Sequence, residues 1–244
     1  MKIETRDQKL RELLIERYSN LERLNRQQRL RFFAKRLSWN LVVKGSYLLK
    51  RVFDIVASMI LMVVLLPVFL GVALAIRLES PGPILFKQKR VGRWGRLFTM
   101  WKFRSMYMDA EARKAELMAQ NEMAGGVIFK MKDDPRVTKV GKFIRKTSID
   151  ELPQLWNVMT GEMSLVGPRP PVPPEVDEYS LSDRRRLEVI PGITCIWQVS
   201  GRSEIPFDQQ VELDVQYIES QSFWTDIKIL LKTVPALLFG TGAY

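Results

Sequence analysis

IVASMILMVVLLPVFLGVALAI, residues 55–76, runs without a charge between Asp54 and Arg77 and carries Pro67 near its middle. As a straight helix its 22 residues would rise roughly 33 Å, enough to cross a bilayer. Proline removes a backbone donor and clashes with the carbonyl four residues back, so a break is expected at Pro67. Basic residues flank the run on both sides: Lys44, Lys50 and Arg51 before it, Arg77, Lys87, Lys89, Arg90, Arg93 and Arg96 after it. Such residues favour the cytoplasmic side of a membrane. Together these features predict a re-entrant helix-break-helix over 46–80 that returns to the face it entered from. A kinked full span is the alternative.

Working outward, the 244-residue chain holds one ordinary domain plus attachments. Its formal net charge of +11 calls for an anionic partner: lipid head groups, nucleic acid or phosphorylated substrates. The single cysteine, Cys195, excludes an internal disulfide and a cysteine metal site. Histidine is absent, which removes Ser-His and Cys-His catalytic pairs and every imidazole ligand. Neither GxxxxGK[ST] nor a strand-embedded GxGxxG occurs. Carboxylates, lysines, arginines, hydroxyls and a hard cation held by carboxylate oxygens remain for chemistry. That set suits phosphoryl transfer to or from a carboxylate better than acyl transfer or redox work.

Residues 1–45 read as a basic amphipathic N-terminal segment. Its second part, with Arg23, Arg26, Arg29, Arg31, Lys35 and Arg36 beside Phe32, Phe33 and Trp39, suits an anionic leaflet. A solvated or dimerising helix and a nucleic-acid contact are the alternatives. After the insert, Pro81, Gly82 and Pro83 stop the helix, and Ile84–Phe86 has the look of a short strand. In WGRLFTMWKFRSM (94–106) aromatic rings alternate with cations. This fits interfacial anchoring, and it equally fits Lys102 or Arg104 pointing at a phosphate. A polar helix is expected over Met108–Met123, and Asp133-Asp134-Pro135 should turn the chain into a helix beginning near Thr138.

The densest chemistry lies in RKTSIDELPQLWNVMTGEMSLVGPRP (145–170). Thr147 or Ser148 can cap a helix whose first turn would hold Asp150 and Glu151, where exposed amides favour carboxylates. A plain capping role is one option. Division of labour is the other, one carboxylate bonding phosphorus and its neighbour a divalent metal, with Arg145, Lys146 and Arg169 close by in sequence. Downstream, Pro171–Pro174 reads as a stiff connector and Arg184-Arg185-Arg186 as a basic knot, solvated or on the membrane face. PGITCIWQVSGR (191–202) reads as a turn, a short strand and a Gly201-Arg202 loop suited to an anion. Phe207–Ile218 is amphipathic, and 222–240 is an apolar helix expected to be interrupted before Pro235, lying in or on the interface.

KRVFDI, ESPGPILFKQKRVG, WKFRSM, the long run 133–170, PGIT and VSGR occur in one order over about 80 per cent of the chain. In these stretches the protein resembles the monotopic, small phosphoglycosyl transferases of bacterial envelope glycan synthesis, the polyprenyl-phosphate sugar-1-phosphate transferases. The resemblance implies a mainly α fold with minor β: a re-entrant helix and interfacial amphipathic helices around a small cytoplasmic catalytic domain, here 81–244, at the inner membrane. It implies transfer of a sugar 1-phosphate from a UDP-sugar to undecaprenyl phosphate with release of UMP, initiating exopolysaccharide, capsule or O-antigen synthesis. Asp150 would be the nucleophile that forms a covalent phosphosugar intermediate, and Glu151 would bind Mg²⁺. Lys102, Arg104, Arg145, Arg169 and Arg202 would hold phosphates or uridine. The implied partners are UDP-sugar, undecaprenyl phosphate and anionic lipids, without nucleic acid; a homodimer is compatible with them. Two departures stand out. The break reads Leu66-Pro67 where many members have Ser-Pro, and PGITCIWQVSGR replaces PGITGWAQVNGR, which touches the pocket wall near Cys195 and Trp197. Rival functions are a UDP-releasing glycosyltransferase and a basic membrane-bound scaffold or nucleic-acid-binding protein.

Overall fold

The computed structural model describes the backbone of residues 26–117, 134–201 and 205–239, and the side chains of 45–113, 134–201 and 205–236. Two compact units, Met1–Leu48 and Leu49–Tyr244, make up the chain. Residues 1–25, expected to be amphipathic, lie outside the described residues. The described structure is mostly helical with two two-stranded sheets.

Helix α1 (Arg26–Val64) and helix α2 (Leu66–Glu79) meet at Leu65. Over Gly45–Val64 and Leu66–Glu79 the two are bent by 60°. Pro67 falls in the first turn of α2, where a helix has no use for the missing N–H and the ring's fixed φ suits the start. The break expected there is thus a new helix start. Among the described residues no single helix is long and apolar enough to cross a membrane; only the bent pair has the length and composition. Val56, Ile60, Val63 and Val64 on α1 and Leu66, Leu70, Leu74 and Leu78 on α2 are exposed, an apolar surface larger than a water-facing fold normally carries.

Within the second unit, side chains of the bent pair bond to elements far along the chain, among them those of Arg51, Asp54 and Glu79. Arg51 donates to the carbonyls of Val158 and Met159 at 2.6 and 3.0 Å. Glu79 accepts from the amides of Lys139 and Val140 at 2.7 and 2.9 Å. Asp54, buried, accepts from Ser164 Oγ and the Leu165 amide.

Strands β1 (Leu85–Val91) and β2 (Leu97–Phe103) form an antiparallel hairpin in which Phe86 faces Lys102, Gln88 faces Met100 and Arg90 faces Phe98. The sequence reading placed a strand only at 84–86 and none at 94–106. The apolar alternation is masked because the inward face carries Arg90, Gln88 and Lys102 alongside Phe98 and Met100. The short helix α3 (Ala110–Leu117) follows. Helix α4 (Lys139–Lys146) starts where expected, with Thr138 Oγ1 accepting from the Gly141 amide.

Then come α5 (Gln154–Thr160), β3 (Ser164–Val166), α6 (Pro173–Asp177), β4 (Gly192–Thr194), α7 (Ile196–Ser200), α8 (Phe207–Glu219) and α9 (Phe223–Phe239). Strands β3 and β4 run parallel. One core gathers Phe98, Met100, Leu155, Val158, Met163, Leu165, Tyr217 and Ile229; a second joins Ile76 of α2 to Phe103 and Ile144.

Three expectations are corrected. The connector 171–174 turns into a helix at Pro173. Helix α9 continues through Pro235, carried by Ile229 in the core and by the Thr233–Thr194 hydroxyl bond. Arg186 is neither solvated nor on a membrane face. It is buried, with Nε and Nη2 on Asp214 Oδ2 at 2.8 and 2.7 Å and Nη1 on the Tyr179 hydroxyl.

Candidate active site

The carboxylate pair sits on a one-turn 3-10 helix, Ile149–Glu151, between the end of α4 and the start of α5. No cap bond from Ser148 secures it, contrary to the expectation that Thr147 or Ser148 caps a helix holding the pair in its first turn. Thr147 Oγ1 instead bonds back to the Phe143 carbonyl. Ser148 adopts φ 55°, ψ 18°, the left-handed region that a non-glycine residue enters at a cost of about 1–3 kcal/mol. This reversal separates the pair from α4 and turns it toward β2. Pro153, which lacks an N–H, then stands at the start of α5.

The two neighbours occupy opposite environments. Glu151 Oε1 accepts from Lys102 Nζ at 2.7 Å and from Arg169 Nη1 at 3.4 Å. Burial works against its charge, but Lys102 and then Arg169 outweigh that, and the carboxyl is held well below the usual range. Asp150 is 9 % exposed and accepts no hydrogen bond from any described residue. Burial lifts its carboxyl from 3.8 to about 6; Lys102, Arg145 and Arg169 restrain the rise, and the charge on Glu151 adds to it.

Among the residues predicted for the site, Lys102, Asp150, Glu151 and Arg169 come together, and Arg145 lies within electrostatic reach of Asp150. Arg104 does not join them. Its Nη2 donates to the Ser80 carbonyl and hydroxyl at 2.7 and 2.8 Å, and its Nη1 to the Pro81 carbonyl, so it clamps the end of α2. Arg202 lies outside the described residues.

The sequence reading missed Arg90 as a site residue. It lines a narrow pocket with Lys102, Glu151, Gln154, Arg169 and Ile193. Its Nη1 donates to the Pro170 carbonyl at 2.8 Å, and Nε and Nη2 to Gln88 Oε1. Burial, and then the charge of Arg169, brings it down to about 10. Counting by twos from Lys102 across the hairpin would have found it.

Arg169 is aimed by backbone packing. The amide of Gly167 donates to the Thr194 carbonyl at 3.0 Å, and that of Gly192 to the Pro168 carbonyl at 2.9 Å. A Cβ on Gly192 would stand 2.0 Å from the Gly167 nitrogen, so only glycine lets these strands close.

For a metal, the described residues offer no group of three or more acidic or thiol ligands. The donor set fits Mg²⁺ only as an ion that keeps water and phosphate oxygens as ligands and takes one or two carboxylate oxygens from the protein.

A family model described as bacterial sugar transferase matches residues 45–240. The chain belongs to that family. It is 52 % identical over 202 residues to "Galactosyl transferase CpsE" of Streptococcus agalactiae, covering 82 % of this chain and 44 % of that protein. To "Undecaprenyl-phosphate galactose phosphotransferase" of Salmonella typhimurium it is 43 % identical over 212 residues, 86 % of this chain and 44 % of the relative. With "Exopolysaccharide production protein ExoY" of Rhizobium meliloti it shares 36 % identity over 198 residues, 80 % of this chain and 88 % of the other. It thus spans less than half the length of the first two relatives and most of the third. The matched region contains the bent helix pair, both sheets and every described residue of the pocket.

Proposed function

We propose that this bacterial sugar transferase moves a sugar 1-phosphate from a UDP-sugar to undecaprenyl phosphate through a covalent intermediate on Asp150. The observation that carries the proposal is the contrast within the pair. Glu151 is tied in a cage of two cations, while Asp150 has cations near it and no hydrogen bond from a described residue to quench its oxygens. A carboxylate lifted to about 6 is still mostly ionised at neutral pH and is more basic than a solvated one, which suits a nucleophile.

In the first half-reaction an Asp150 oxygen bonds the phosphorus that carries the sugar, the bond from that phosphorus to the bridging oxygen breaks, and UMP leaves. In the second, an oxygen of undecaprenyl phosphate displaces Asp150 from the same phosphorus, giving the polyprenyl diphosphate-linked sugar and restoring the carboxylate. Lys102, Arg169 and Arg145 offset the charge on the phosphoryl oxygens. Mg²⁺, arriving with the diphosphate and touching Glu151, would stabilise the leaving phosphate.

The bent helix pair suits a re-entrant insert returning to the cytoplasmic face of the inner membrane, where the lipid's head group meets the soluble donor. The names of the relatives support the substrate classes. The experiment is incubation of the purified protein with a panel of UDP-sugars, Mg²⁺ and undecaprenyl phosphate. UMP release is expected, and Asp150→Asn should abolish it even without acceptor. UDP release would establish the rival glycosyltransferase, and normal UMP release by Asp150→Asn would remove Asp150 from the nucleophile's role.

A further inference from the structure

Helix α5 carries two carboxamides one turn apart, and they are used in opposite ways. Asn157, fully buried, is saturated. Its Nδ2 donates to the Thr99 carbonyl at 2.7 Å and to Glu162 Oε2 at 2.6 Å, and its Oδ1 accepts from the Trp101 amide at 3.1 Å. It pins α5 to β2. Gln154 is 3 % exposed, yet its side chain makes no hydrogen bond to any described residue. It lines the narrow pocket shared with Arg90, Lys102, Glu151 and Arg169. Leaving a buried carboxamide unpaired is destabilising, and sequences retain such groups where a ligand completes them.

The chemistry of the group narrows the ligand. A carboxamide offers two donors and an acceptor, which matches a hydroxyl, itself donor and acceptor. A phosphate oxygen only accepts, and the pocket already holds three cations for it. Gln154 stands three residues beyond Glu151, one turn along from the pair that acts on the donor. The uncharged, hydroxyl-bearing group attached directly to the phosphorus there is the sugar; the nucleoside is one phosphate farther away.

We propose that the Gln154 carboxamide hydrogen-bonds a hydroxyl of the donor's sugar and is a specificity-determining residue of the pocket. The proposal rests on the transferase assignment above and adds to it the residue that reads the sugar.

Gln154→Met keeps the length and volume of the side chain and removes both donor and acceptor. UDP-glucose and UDP-galactose are the probes, with UDP as the sugarless control. Loss of one neutral hydrogen bond should raise KM for the donor that the wild type turns over by about 3- to 10-fold, leaving the inhibition constant of UDP unchanged. Because the amide satisfies nothing in the fold, the melting temperature should stay level or rise, whereas Asn157→Leu, which loses three bonds, should lower it. A melting temperature that falls as in Asn157→Leu, or an unchanged KM, overturns the proposal. An equal weakening for UDP overturns it too, by moving the contact to the nucleotide. A wild type inert toward every UDP-sugar takes down the transferase assignment with it. An active wild type matched in KM by Gln154→Met takes down this proposal alone.

Discussion

Replacing Lys102 with methionine tests the electrostatics of the pair more sharply than removing either carboxylate. Burial pushes the Asp150 carboxyl up to about 6, and Lys102 is the strongest influence holding it from rising further. A neighbouring opposite charge lowers a carboxyl by about 1–3 pH units, so Lys102→Met should place Asp150 at about 7 to 9. At pH 7 a carboxyl of pKa about 6 is roughly nine-tenths ionised; at 7 the fraction is about one-half, and at 9 about one-hundredth. Ionisation alone therefore predicts a loss of about 2-fold to 90-fold in UMP release at pH 7. The deficit should shrink as pH rises and approach a constant once Asp150 is again charged. Glu151 keeps Arg169 at 3.4 Å and should remain ionised throughout. The assay is the initial rate of UMP release in detergent micelles from about pH 5.5 to 9.5, wild type against variant. An acidic limb at the same pH in both proteins, with a uniform loss at every pH, would refute the claim that Lys102 sets the ionisation of Asp150.

Asp150→Asn should stabilise the protein while silencing it. A carboxyl raised from 3.8 to about 6 favours the folded state when protonated, so its contribution is fullest below pH 4 and is lost as pH rises through about 6. Above that, the charge costs up to about 3 kcal/mol, which the neutral amide should recover as a higher melting temperature at pH 7.5 but not at pH 4. Gly192→Ala should lower stability by about 3–5 kcal/mol in denaturant titration, because its Cβ would part β3 from β4 and break the three backbone bonds around Pro168, Pro191 and Thr194. Arg186→Met leaves Asp214 buried without its partner and should cost about 3–5 kcal/mol, most of it returned by Arg186→Met with Asp214→Leu. Glu79→Ala removes the carboxylate from the first amides of α4 and should cost about 1 kcal/mol, seen as faster amide exchange at Lys139 and Val140.

Much of this protein was legible from composition and local order. A charge-free run interrupted by proline predicts a break there, and Pro67 takes the first turn of a new helix, where its missing N–H costs nothing. A chain without histidine and with one cysteine leaves carboxylates, hydroxyls, lysines and arginines for chemistry, and the adjacent Asp150 and Glu151 stand in the stretch where such groups crowd with Arg145, Lys146 and Arg169. Other assignments needed partners far away in sequence. Lys102 reaches Glu151 across 49 residues, Asp54 meets Ser164 across 110, and Lys50 meets Asp226 across 176. Closures of this kind divide the pair into a caged Glu151 and a buried Asp150 without a hydrogen bond from any described residue, take Arg104 to the end of α2, bury Arg186 and set Gln154 in the pocket lining. The physical reason is that local pattern encodes which face an element buries, while the charge state and use of a polar side chain depend on what the fold brings against it. The β1–β2 hairpin shows both halves: its apolar alternation vanished because one face had to carry Arg90 and Lys102, and that face became the wall of the pocket.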